Sequence, residues 1–170
     1  MIGTFPETPI VRLCAMPSAT ICYYVGTLFL VTAFLTQKGY RLPFSMSSTP
    51  KGALWRPALL AILEDTGSIE VRGELAYRKA VMKRYETSPL FRSMLLRLTW
   101  FWGIGLLVIA VVTTVLIVSL EEEGVAFGVG WGLPYVWSAM LGIWTVGFVK
   151  KNLKEERAAW KTGRYSGITA

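Results

Sequence analysis

The sequence predicts an all-α integral membrane protein: a transmembrane helical hairpin (98–120, 125–149), a candidate third span at 20–36, and short cytosolic amphipathic helices. Three observations carry this reading. Of 170 residues, 53% are hydrophobic and only 17% charged, where soluble domains carry about 25%. Leu98–Leu120 and Val125–Val149 are 23 and 25 residues long and contain no charge; about 20 apolar helical residues cross a ~30 Å hydrocarbon core. The basic residues flank these runs and never interrupt them.

Taken in order, residues 1–19 hold prolines and threonines and predict an irregular start. Thr20–Thr36, "TICYYVGTLFLVTAFLT", is at the lower limit for spanning and predicts a signal anchor or a short span, since no A-x-A-like cleavage site follows it. Residues 37–53 have the Ser, Pro, Gly and Lys content of a linker. Met46, followed by "SSTP", resembles an ordinary N-terminus, which makes residues 1–45 a candidate extension.

Residues 54–65, "LWRPALLAILED", place Leu54, Trp55, Ala58, Leu59, Ile62 and Leu63 on one side of a helix that Glu64–Gly67 end. It is too short to span and reads as interfacial, with Trp55 and Arg56 at headgroup level. Residues 69–86 read as a second cytosolic helix striped by Val71, Leu75, Met82 and Tyr85 and weakened by Gly73. Ser88 then Pro89 is an N-cap with proline at the first helical position, so a helix starts there and runs into the first long span. Arg92 and Arg97 sit at its cytosolic boundary and snorkel, beside the aromatic anchors Trp100 and Trp102.

Glu121–Glu123 separate the two long runs. Three adjacent carboxylates point in different directions, so they read as the solvated tip of the hairpin rather than a metal site. In the second run, Gly128-x-x-x-Gly132 and Ser138-x-x-x-Gly142 are small-x-x-x-small patterns, and Pro134 predicts a kink. Such a span suits close packing, either on a partner or on its own hairpin. The tail 150–170 is basic. The domain scheme is therefore 1–45 extension, 46–97 basic interfacial segment, 98–149 hairpin and 150–170 cytosolic tail.

Net charge is +7. Eleven lysines and arginines fall between Gln37 and Arg97 and six after Val149. By the positive-inside rule both hairpin ends face the cytosol. The excess serves topology and contact with anionic lipid of the membrane, not nucleic acid, for which no motif is present. The chain has no histidine, and Cys14 and Cys22 match no metal spacing. That argues against bis-histidine haem, common zinc sites and Ser-His catalysis. No charged residue lies inside a span, which argues against ion or proton transport. The expectation is a protein that is not an enzyme and holds no cofactor.

Segments Ala53–Gly103, "GVGWGLPYVW" (Gly128–Trp137) and "KKNLKEERAAW" (Lys150–Trp160) resemble the fungal NoxD family. That family is similar to the small, non-catalytic subunit of the phagocyte NADPH oxidase cytochrome. The resemblance implies an endoplasmic-reticulum membrane protein that stabilises a haem-containing NADPH oxidase catalytic subunit and so supports formation of reactive oxygen species. The phagocyte subunit's Pro-rich tail has no counterpart, because no proline follows Pro134. On this reading Gly128, Gly132, Ser138 and Gly142 pack on the partner, and Trp55, Arg56, Arg92 and Arg97 make interfacial and cytosolic contacts. The competing reading is a general endoplasmic-reticulum membrane chaperone or cargo adaptor working through its basic and aromatic cytosolic segments.

Overall fold

A computed structural model describes residues 8–45, 50–70 and 74–162. Its elements are α1 (Thr8–Ala15), α2 (Pro17–Lys38), α3 (Ala58–Glu70), α4 (Glu74–Thr87), α5 (Pro89–Ser119) and α6 (Glu123–Lys161). Three of them, α2, α5 and α6, are long and apolar enough to cross a membrane. The chain is thus an all-α protein of membrane type, and 20–36 belongs to a full-length third candidate span.

Several boundaries differ from the sequence reading. Residues 8–15 are helical, not irregular; their proline-rich look comes from Pro9 and Pro17, which sit in first turns, where proline is tolerated. Helix α3 begins at Ala58 rather than Leu54 and runs through Gly67 to Glu70. Leu54 and Trp55 leave the helix because they pair with the other end of the linker: Arg41 bridges Leu54, and the Trp55 amide donates to Tyr40 O at 2.8 Å. The linker ends are therefore ordered; Met46 lies outside the described residues, as do Val71, Gly73 and the side chain of Leu75. The tail remains helical to Lys161, so α6 covers 39 residues without a break at Val149.

The chain divides into two compact units, 1–28 with 102–143 and 29–101 with 144–170. Of the 18 lysines and arginines, Arg12 alone belongs to the first unit.

In the first unit, Cys22, Leu106, Ile109 and Ala110 form a buried cluster joined by Leu133 and Trp137. Glycines permit the close approach. A Cβ at Gly130 would lie 2.7 Å from Ala15 O, and one at Gly105 would lie 2.8 Å from a Leu141 methyl. Pro134 has no N–H, so the Gly130 carbonyl loses its helical donor, and the Ser18 hydroxyl of α2 donates to that carbonyl instead. Trp137 Nε1 donates to Gly105 O at 3.0 Å. At the hairpin tip, Arg12 donates to Leu120 O at 2.9 Å and Val118 O at 3.3 Å, satisfying carbonyls that the end of α5 leaves without partners.

In the second unit, Leu60, Phe91, Met94, Leu95 and Leu98 make a core that Met82, Tyr85, Phe148 and Val149 extend. Helix α2 ends in a Schellman motif: Gly39 has φ +70°, its amide donates to Thr36 O, and the Tyr40 amide donates to Leu35 O. Thr32 Oγ1 of α2 accepts from the Ala58 amide and so caps α3. The predicted cap of α5 is present, with Ser88 fully buried and the Phe91 amide donating to its hydroxyl at 3.2 Å.

Candidate partner face and membrane-boundary cavity

Two regions collect the residues that the sequence singles out, one within each unit. The first is the outward face of α6. On a helix turning about 100° per residue, Gly128, Gly132, Tyr135, Ala139 and Gly142 fall within about 40° of one line. A Cβ added at Gly128, Gly132 or Gly142 would meet nothing within 4 Å. Tyr135, Val136, Met140 and Ile143 beside them are exposed, Ile143 at 76%. Only 11% of the α6 span window is buried, against 39% for α5 and 33% for α2.

Ser138 borders that face, about 40° around the helix from Gly142. It lines a cleft of about 200 Å³ with Ser18, Cys22, Leu106 and Pro134. Ser138 therefore sits at the edge of the glycine line, and Tyr135 of that line borders the same cleft. Within the described spans the engaged glycines are others: Gly26, Gly105 and Gly130. Sequence reasoning passed over Gly130, although Pro134 four residues later is the signal that its carbonyl needs an outside donor.

The second region is a cavity of about 610 Å³ in the second unit, lined by Trp55, Arg56, Arg92, Gln37, Tyr85 and Glu86 among others. The turn at Gly39 and the Leu42–Ala53 pairing bring Trp55 and Arg56 against the end of α2, and Trp55 meets Phe44 edge to face at 6.0 Å. Arg92 enters from the first turn of α5. Burial pushes the Tyr85 hydroxyl above its ordinary pKa, while the Arg92 and Arg56 charges pull it back, so both guanidiniums act on one wall. Arg97 is exposed and lies outside this set of lining residues. Three of the four expected boundary residues are thus brought together.

A further polar node lies beyond the charge-free stretch, on the extension of α6. Glu156 is 3% exposed and pairs with Arg84, whose Nε donates at 3.2 Å and whose Nη2 also donates. Burial, the largest influence, raises the Glu156 pKa, but hydrogen bonds from Arg84, Ser88 and Trp160 together with the Arg84 charge outweigh it and hold the carboxyl below its ordinary value. Arg84 also stacks over Phe91 at 4.6 Å. At the hairpin tip, Glu121 and Glu122 are exposed and Glu123 half-buried.

No curated protein and no solved structure matches the chain. A family model matches residues 1–160, which include the segment 1–45. The chain belongs to the family described as Domain of unknown function (DUF8766).

Proposed function

We propose that this protein is a non-catalytic accessory subunit of an NADPH oxidase of the endoplasmic reticulum, other endomembranes or the plasma membrane, binding and stabilising the haem-containing catalytic subunit through α6. Both ends of the hairpin face the cytosol, and the glutamate tip faces the opposite side. The observation that carries the reading is the open glycine line of α6. Between helices in lipid there is little hydrophobic drive, and close backbone approach at small residues replaces it. Gly128, Gly132 and Gly142 offer that approach, and no group among the described residues uses it. The resemblance of Ala53–Gly103 and Gly128–Trp137 to the NoxD family supplies the identity of the partner.

The test is purification of the full chain from native membranes in mild detergent, with a haem absorption spectrum and mass spectrometry of the eluate. Wild type carries a haem protein with it. Gly128→Leu with Gly132→Leu loses that haem absorbance while remaining inserted after alkaline carbonate washing. An undiminished haem signal in the double variant refutes the docking face. Recovery of many unrelated clients and no haem favours the chaperone or adaptor instead.

A further inference from the structure

Independently of the oxidase reading, we infer that the cavity of the second unit is a binding site for one anionic phospholipid headgroup, and that its chemistry selects phosphatidylinositol. Its position fits a headgroup. Beside Leu54–Arg56 and the end of α4, the lining comes from the last residues of α2 and the first turns of α5, where the charge-free runs give way to Lys38 and to Arg97 and Arg92. Basic pockets at this depth are recurrent lipid-headgroup sites. Its volume of about 610 Å³ falls within the range of small-ligand pockets, about 300–1,000 Å³.

The charges narrow the ligand. Arg56 and Arg92 bring two guanidiniums, whose planar forks suit phosphate oxygens. Glu86 shares the cavity, so two cations against one carboxylate leave a single net positive charge. That balance matches a phosphodiester carrying one negative charge better than a headgroup with added phosphates. Glu86 repels the carboxylate of a serine headgroup, although it attracts the ammonium beside it. Together with Gln37 it offers acceptors for the hydroxyls of an inositol ring. Leu54 and Leu96 give the glyceryl end an apolar wall, so a lipid binds better than its soluble headgroup.

Native mass spectrometry of the full chain in detergent, titrated with phosphatidylinositol, phosphatidylserine, phosphatidylcholine or glycerophosphoinositol, tests this. Phosphatidylinositol should bind about tenfold tighter than each of the other three, and Arg92→Gln should remove about tenfold, the loss of one charged contact. Arg56→Gln with Arg92→Gln should abolish the preference, whereas Lys151→Gln should leave it intact. Because Arg92 is exposed, its single variant decides the matter if the double variant unfolds. Equal binding of phosphatidylcholine, or wild-type affinity in a folded Arg92→Gln chain, overturns the site. Equal binding of phosphatidylserine overturns the choice of inositol, and equal binding of glycerophosphoinositol overturns the assignment to a lipid.

Discussion

Two glycines on opposite sides of α6 should respond in opposite ways to the same added methyl group. At Gly130, the new Cβ of Gly130→Ala would lie 2.7 Å from Ala15 O, 2.9 Å from Ala15 Cβ and 3.1 Å from Ile117 Cδ1. The first of these is backbone, so the α1–α2 junction must retreat rather than a side-chain tip rotate. Overpacking of this kind costs about 1–3 kcal/mol. The retreat also stretches the bond from Ser18 to the Gly130 carbonyl, and interhelical hydrogen bonds in membranes average about 0.6 kcal/mol. Alanine's better helix propensity returns up to about 1 kcal/mol, leaving a net loss of about 1–2.5 kcal/mol. Gly128→Ala meets nothing within 4 Å and keeps only the propensity gain. The two variants should therefore differ by about 2–3 kcal/mol in SDS-induced unfolding in mixed micelles, followed by circular dichroism. Adding Ser18→Ala to Gly130→Ala should cost less than Ser18→Ala alone, because the shared bond is already stretched. Equal stability of the two alanine variants would refute the close approach of α1–α2 to α6.

Two further outcomes follow from the polar contacts. Glu156→Gln should destabilise the protein by about 1–3 kcal/mol at pH 7, the cost of breaking a buried charged hydrogen bond; because the folded pKa is lowered, the gap between wild type and variant should hold above the unfolded carboxyl pKa of about 4.3 and shrink as pH falls through the lowered folded value, as read from unfolding midpoints across pH. Arg12→Ala should leave the Val118 and Leu120 carbonyls without their donor, at about 0.3–1 kcal/mol for a cation at a helix C-terminus, and amide hydrogen exchange at residues 119–124 should accelerate while that of 89–101 stays unchanged.

The membrane fold was legible because its signals are local and long. Charge-free runs of 23 and 25 residues, the Ser88–Pro89 start and the Glu121–Glu123 break each depend on neighbours in sequence, and each stands as an element end or interior. What escaped depends on contacts distant in sequence. Nothing near Ala58 reveals that Thr32, 26 residues earlier, caps its helix. Nothing near Leu54 shows that Tyr40–Leu42 draw it out of the helical stripe. For α6 the pattern of small residues was visible, but the choice of face was not. The sequence holds glycines at 128, 130, 132, 142 and 147; Pro134 marks the Gly130 carbonyl as lacking its helical donor, but only the positions of Ala15 and Ile117 show that the Gly130 side is the crowded one.

That distinction bears on how lipid-facing surfaces should be judged. In water, an exposed apolar helix face calls for a partner because burial is favourable by about 25 cal/mol per Å². In lipid it does not, since acyl chains already satisfy Val136, Met140 and Ile143 as well as another helix would. Exposure of these side chains therefore carries no weight for a partner. Glycine differs, because it lowers helix propensity by about 1 kcal/mol relative to alanine and gives acyl chains less to touch. Where Gly130 sits, the approach of Ala15 and the bond from Ser18 offset that cost within the chain. At Gly128, Gly132 and Gly142 no group among the described residues does so. Three missing methyl groups, rather than the large exposed side chains around them, thus call for a partner. Replacing Val136 or Ile143 by leucine should leave association unchanged, while filling Gly128 and Gly132 should abolish it.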